Sequence, residues 1–297
     1  LEQFTAPLLN GKVAGVAYIY GEAGIGKSRL AFEFRKNLFS KTPVNWFVCK
    51  ADQILRKGMN PFIYFLSYYF EQSSENTSEQ NKDNFEKEFQ LLVNDIQKLQ
   101  RPEAAELTQE LYRTKTVLAG LLDISYHEDS LWEQLDAKGR FQNIKIALVS
   151  LFIAESLMRP VVIFLEDGHW FDDLSKTFLN EFLRYIIPYP IVLLVTSRYT
   201  DDQRKPLLIE KTAIEEYGLP ILEIDLNFLS NETIPSFASK ILYGEIHPEF
   251  LKLLVRTTNG NPFYLEQVLE YFKESNLLVE EQGKWTIKDK NIKLSNS

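Results

Sequence analysis

Gly21-Glu22-Ala23-Gly24-Ile25-Gly26-Lys27-Ser28 is the stretch that decides the fold. Its spacing, G-x-x-x-x-G-K-[ST], is that of a Walker A loop, whose backbone N–H groups cradle nucleotide phosphates. The flanks agree with it. Val13 to Tyr20 reads as a buried strand running into the glycines, and Leu30, Phe34 and Leu38 recur at the four-residue step of one helix face. Strand, glycine loop and helix in that order predict a P-loop NTPase. Glycines let the backbone take positive φ and approach an anion closely. Loop N–H groups and the helix N-terminus then face the phosphates, helped by the helix dipole. Gly21, Glu22, Ala23, Gly24, Ile25, Gly26, Lys27, Ser28 and Arg29 are therefore the candidate nucleotide-binding residues. Lys27 is assigned to the β- and γ-phosphates, and the Ser28 hydroxyl to Mg²⁺.

Bulk composition narrows the classes. The chain has 297 residues, 45% hydrophobic and 25% charged, as a globular protein with a sizeable core would. A net charge of −8 argues against direct nucleic-acid binding by the module as a whole. With one cysteine, Cys49, there is no internal disulfide and no cysteine zinc site, which favours a reducing, cytoplasmic setting. Cys49 falls in an expected strand and reads as core. Neither His127 nor His247 has a second ligand nearby in sequence. The most apolar stretch, Ile144 to Met158, is interrupted by Lys145 and Glu155 and is too short for a membrane span, so no membrane association is expected. The chain begins with Leu1 and ends in a polar stretch, and we expect it to be a piece of a longer protein.

Working outward, Asn45 to Lys50 reads as a second strand, followed by an aromatic-rich helix from Pro61 to Phe70. The polar run Glu71 to Asn84 is expected to be a mobile loop. Phe85, Phe89, Leu92, Ile96 and Leu99 mark a helix ended by Pro102, and a second helix covers about Glu103 to Leu122. Residues 71–135 thus read as a helical insertion in an α/β core. A long helix, Lys138 to Met158, leads to the apolar strand Val161 to Leu165. A helix with Leu174, Phe178, Leu179, Phe182 and Leu183 on one side follows, then the apolar strand Ile191 to Val195. Fully apolar strands alternating with helices predict a doubly wound parallel sheet, with ligands beyond the strands' C-terminal ends. The expected organisation is a P-loop core over 1–205, a helical lid over 206–275 and the start of a winged-helix-like unit over 276–297. The lid holds a short strand, Ile221 to Ile224, and helices at about Glu232 to Leu242, Pro248 to Val255 and Pro262 to Glu274. The last unit opens with a hairpin turning at Gln282-Gly283.

An acid at the end of an apolar strand is the metal-side (Walker B) partner that a P-loop needs. Glu166 and Asp167 have that position. Glu166 is assigned to Mg²⁺, directly or through water, and Asp167 to polarising the attacking water. The order inverts the commoner Asp-Glu, so the two roles are open to exchange. A structural reading is that both acids cap the next helix. Arg198, after the strand ending in Thr196-Ser197, is a candidate γ-phosphate sensor or a plain salt-bridge residue. His169 and Trp170 stand beside the acids, either facing the nucleotide or packing.

Leu165-Glu166-Asp167-Gly168-His169-Trp170-Phe171-Asp172 resembles the E/D-D-x-H-W-x-D signature of one group of STAND-type AAA ATPases. That group occurs in large LuxR-type regulators, multidomain adenylate cyclases and multidomain kinases. Gly21 to Leu30 is similar to its G-E-A-G-I-G-K-S-R-L, and Asn259-Gly260-Asn261-Pro262-Phe263-Tyr264-Leu265-Glu266 resembles its G-N-P-[FY]-[FY] segment. The similarity spans about residues 6 to 287 outside the insertion. The group's G-R-E segment would fall just before Leu1. The resemblance implies that Pro262 packs against adenine and that ATP or ADP with Mg²⁺ is the ligand. It further implies a signalling switch with slow hydrolysis, acting on a fused effector domain or through homo-oligomerisation on ATP binding. The alternative expectation is a non-hydrolysing, nucleotide-bound scaffold for a partner protein. No cyclase or kinase catalytic motif is present.

Overall fold

The computed structural model describes residues 1–51, 57–99, 101–126, 130–281 and 283–288. The chain opens with a short helix α1 (Glu2–Thr5) and a 3-10 turn, then β1 (Gly15–Tyr20), the glycine loop and α2 (Lys27–Lys41). Next come β2 (Asn45–Lys50), α3 (Asn60–Tyr69), α4 (Ser78–Lys98), α5 (Pro102–Leu121), α6 (Leu131–Gln134) and the long α7 (Ala137–Met158). The middle of the chain supplies β3 (Val161–Glu166), α8 (Asp173–Ile186), β4 (Ile191–Ser197), α9 (Lys211–Glu216) and β5 (Ile221–Asp225). The remainder is α10 (Thr233–Leu242), β6 (Glu245–Ile246), α11 (Pro248–Thr258), α12 (Pro262–Glu274), β7 (Leu278–Glu281) and β8 (Lys284–Ile287).

Five strands form one parallel sheet in the order β2-β3-β4-β1-β5. In that order β1 is inserted between β4 and β5, as expected of a doubly wound sheet. β1, β3 and β4 are buried almost throughout, which explains their unbroken apolar runs. Two neighbouring residues show how both faces are covered. Side chains alternate along a strand, so Trp46 and Phe47 point to opposite sides of the sheet. Trp46 lies 6.0 Å from Phe34 of α2 and 5.7 Å from Phe164 of β3. Phe47 lies 4.9 Å from Phe65 of α3 and 6.0 Å from Phe152 of α7. Helices therefore pack on both faces. On the α3 side the rings continue outward through Phe62–Phe178 at 4.8 Å and Phe70–Phe85 at 4.5 Å, which ties α8 and α4 to the same core. Truncating a fully buried ring among these, such as Phe62 or Phe152, to alanine costs about 3–5 kcal/mol.

The polar run Glu71 to Asn84, read from sequence as a mobile loop, is instead organised. Thr77 caps α4 with a full capping box: its hydroxyl accepts from the Gln80 N–H, and the Gln80 side chain accepts from the Thr77 N–H. Upstream, the Asn81 side chain accepts from the Ser73 N–H and donates to the Ser73 carbonyl. Low hydrophobicity concealed residues whose work is local hydrogen bonding. Three smaller differences stand beside it. Leu174 is exposed rather than on the buried face of α8. Pro102 opens α5 as well as ending the segment before it. Ile221–Asp225, expected at the head of the lid, is the edge strand of the main sheet, where Val16 donates to the Pro220 carbonyl at 3.0 Å. By length and apolar composition α7 would suffice to cross a membrane, but most of that stretch is buried in the protein.

Two compact units result. The first comprises Leu1–Ile19 and Ala31–Ile224, and contains nearly all of the sheet and its helices. The second joins Tyr20–Leu30, which includes the glycine loop, to the chain from Asp225 onward. Its core is built from Ile234, Phe250, Leu254, Leu265, Leu269 and Phe272, with Phe250 and Phe272 edge-to-face at 5.4 Å. The expected hairpin is present as β7 and β8, antiparallel, with Val279 opposite Thr286; its turn residue Gln282 lies outside the described residues. The two-residue β6 joins β8 in parallel, a strand too short to leave a sequence pattern.

Candidate functional site

The glycine loop is shaped by two left-handed residues. Gly24 and Gly26 take φ of +72° and +106°, conformations that side chains disfavour. At Gly24 space is limiting as well, because an added Cβ would stand 3.0 Å from the Cβ of Phe263. Lys27, the first residue of α2, is only 8% exposed, and its Nζ donates to the carbonyls of Gly21 at 2.7 Å and Glu22 at 2.9 Å. The ammonium is thus held over the loop by the loop's own backbone. Ser28 and Arg29 are exposed, and Arg29 pairs loosely with Glu266 of α12 at 3.7 Å. Loop N–H groups, a buried ammonium and a hydroxyl at a helix N-terminus are a donor set suited to phosphate oxygens, so these residues fit a nucleotide with its divalent ion.

The sequence reading named the residue that braces this loop only as part of the G-N-P segment, with no role of its own. Asn261, 5% exposed, is the N-cap of α12: its Oδ1 accepts from the N–H groups of Phe263 at 3.0 Å and Tyr264 at 3.5 Å. Its Nδ2 simultaneously donates to the Ala23 carbonyl in the loop at 3.1 Å. Pro262 follows at the first turn of α12 and is half-buried. The preceding turn is fixed to the segment between β5 and α10, where Leu229 donates to the Gly260 carbonyl at 2.8 Å. Within this unit the structure therefore brings Gly21–Arg29 and Pro262 to one neighbourhood.

In the first unit, Glu166 ends β3 half-buried, with Lys50 of β2 at 3.8 Å from its carboxylate. Asp167 takes φ of +56°, and its N–H donates to the Thr196 hydroxyl at 3.2 Å. That left-handed turn starts a 3-10 segment carrying His169 and Trp170. His169 Nδ1 accepts from the exposed Arg198 N–H at 3.4 Å. Glu166, Asp167, His169 and Arg198 are thus gathered at the C-terminal ends of β3 and β4. Neither acid caps the next helix. Asp172 does so, accepting from the Ser175 N–H at 2.9 Å and also from the Met59 N–H at 3.2 Å. Among the described residues no cluster of three or more His, Cys, Asp or Glu side chains forms a protein-only metal site. Cys49 is fully buried, and burial pushes its thiol well above the ordinary range.

Comparison with known proteins places these features in context. A family model described as AAA ATPase domain matches residues 1–194. A curated relative, an uncharacterized protein of Rhizobium meliloti (strain 1021), is 27% identical over 283 residues, covering 90% of this chain and 24% of its own length. The chain thus spans about a quarter of that relative. Among solved structures, a Signal Transduction ATPase with Numerous Domains (STAND) protein with a tetratricopeptide repeat sensor from Pyrococcus horikoshii aligns with 91% of this chain and 29% of its own. The two share 19% identity and a TM-score of 0.39.

Proposed function

The chain belongs to the AAA ATPase domain family, and from that premise we propose that it is an ATP-binding signalling switch of the STAND type, with slow Mg²⁺-dependent hydrolysis. The observation that carries the reading is the Asn261 amide, which serves the phosphate loop with one end and caps α12 with the other. In this reading a change at the loop's phosphate ligand passes through that amide to the N-terminus of α12, Asn261 lying 238 residues from Ala23 in sequence. Two discrete arrangements of such an element are what a nucleotide switch requires.

In this reading Lys27 and the loop N–H groups hold the β- and γ-phosphates, and Pro262 packs against adenine. Ser28 and Glu166 hold the ion, which when bound neutralises charge on the phosphate oxygens. Asp167 orients and polarises water, and Arg198 senses the γ-phosphate. The output passes to a fused effector or to another copy of the chain, in a cytoplasmic setting. Calorimetric titration of ATP with Mg²⁺ into Lys27→Ala tests the proposal: binding should be lost, and retained micromolar affinity would overturn it. Phosphate release by the native chain separates the switch from a nucleotide-bound scaffold, which would bind ATP with no turnover.

A further inference from the structure

A cavity of about 780 Å³ lies in the first unit and is lined by Trp46, Phe47 and Val48 together with Arg35 of α2 and residues of α3. Three consecutive strand residues cannot all face one side of a sheet, because their side chains alternate. A cavity that touches all three therefore runs along the edge of the strand, and β2 is the edge strand of the sheet. The backbone directions follow from the register. Asn45 donates to the Pro160 carbonyl at 2.9 Å and Ala51 to the Glu166 carbonyl at 3.4 Å. Odd-numbered residues of β2 thus face β3, and the N–H and C=O groups of Trp46 and Val48 face outward into the cavity.

The walls are aromatic. On α3, Tyr64 is 48% exposed and Tyr68 86% exposed, one helical turn apart along the rim. On α2, the Arg35 guanidinium lies over Phe39 at 5.3 Å and over Trp46 at 5.8 Å. Among the described residues Arg35 has no carboxylate partner, whereas Glu71 at the far end of the cavity is paired with Lys87 at 3.5 Å. Apart from Lys50 at its end, the edge strand carries no charge and no proline to discourage pairing. Because α2 and α3 stand to either side, the edge is recessed. The recess suits a lone extended segment better than the broad edge of a second sheet.

We propose that this groove binds an extended segment of a partner protein by strand addition to β2. The segment alternates apolar or aromatic residues and bears one acidic side chain for Arg35. Main-chain bonds to Trp46 and Val48 supply affinity, and the aromatic walls and Arg35 supply selectivity. The test uses capped seven-residue peptides alternating valine and tyrosine, with one glutamate walked through the positions. At least one should bind the native chain and protect the Trp46 and Val48 amides from hydrogen exchange. Methylating its alternate backbone nitrogens should abolish binding. Val48→Pro removes an outward N–H at a place where edge strands accept proline, and should cost binding at unchanged melting temperature. Arg35→Glu should weaken the glutamate peptide roughly tenfold and turn the preference to its lysine counterpart. The proposal fails if no peptide protects these amides, or if Val48→Pro binds as the native chain does. It fails equally if Arg35→Glu keeps the acidic preference, or if the amides become protected with rising protein concentration alone, which would mean self-pairing.

Discussion

Asn261 and Ala23 are joined by a single hydrogen bond, 3.1 Å from side-chain amide to loop carbonyl, and the same amide caps α12. One side chain thus has two separable duties, one structural and one directed at the phosphate loop. The cap needs an acceptor, while the brace needs a donor, and the amide supplies them from two separate atoms, Oδ1 and Nδ2.

Asn261→Asp should keep the cap and lose the brace, since a carboxylate cannot donate to the Ala23 carbonyl. Its melting temperature should stay near that of the native chain while ATP affinity falls. Asn261→Ala should lose both, with a further cost of about 1 kcal/mol for the missing cap. Thermal unfolding and ATP titration of the two variants side by side check the division.

Glu166 and Asp167 sit one residue apart but in different backbone environments, Glu166 at the end of β3 and Asp167 in the left-handed turn after it. Glu166→Gln and Asp167→Asn should each spare ATP binding better than turnover, Glu166→Gln by loss of an ion ligand and Asp167→Asn by loss of the water-polarising group, the latter worth about a hundredfold or more in phosphate release. Single-turnover hydrolysis beside a binding titration is the measurement. Equal losses in both assays would argue against the assigned roles.

Glu155 of α7 is buried against Tyr69 and Asn45, which both donate to its carboxylate. Burial raises its pKa above 4.5, opposed by Tyr69 and Arg159 and assisted by Asp95. The folded chain therefore holds this proton more tightly than the unfolded one. The stabilisation is complete below pH 4.5 and is lost as pH rises through the higher folded value. Glu155→Gln removes that slope, so its melting temperature relative to the native chain should climb from acid toward about pH 7. A flat difference across that range would refute the assignment.

Thr77→Ala should destabilise the chain by about 1 kcal/mol, because the capping box then loses its hydroxyl partner. Amide exchange at the start of α4 should quicken with it. Unchanged exchange there would show that the segment is held by other means.

Most strands and long helices were legible because burial on both faces of a parallel sheet leaves unbroken apolar runs, as in Val161 to Leu165 and Ile191 to Val195. The glycine loop was legible because its geometry admits few residue types. What stayed hidden has a common cause. The Thr77 capping box lies in a polar run without periodicity, and β6 is two residues long. Lys50 beside Glu166 depends on the register between β2 and β3, which no single strand reveals. Asn261 reads as one letter of the G-N-P segment, and its reach to Ala23 across the chain leaves no spacing to detect.

The 238-residue separation of Ala23 and Asn261 also sets a timetable. During synthesis the phosphate loop leaves the ribosome early, yet its brace is made only after the rest of the sheet has emerged. At translation speeds of about 5–20 residues per second that gap lasts on the order of ten to fifty seconds. A nascent chain holding the loop but not α12 should therefore be a poor ligand for nucleotide. Occupancy of the site would then report that translation has passed α12.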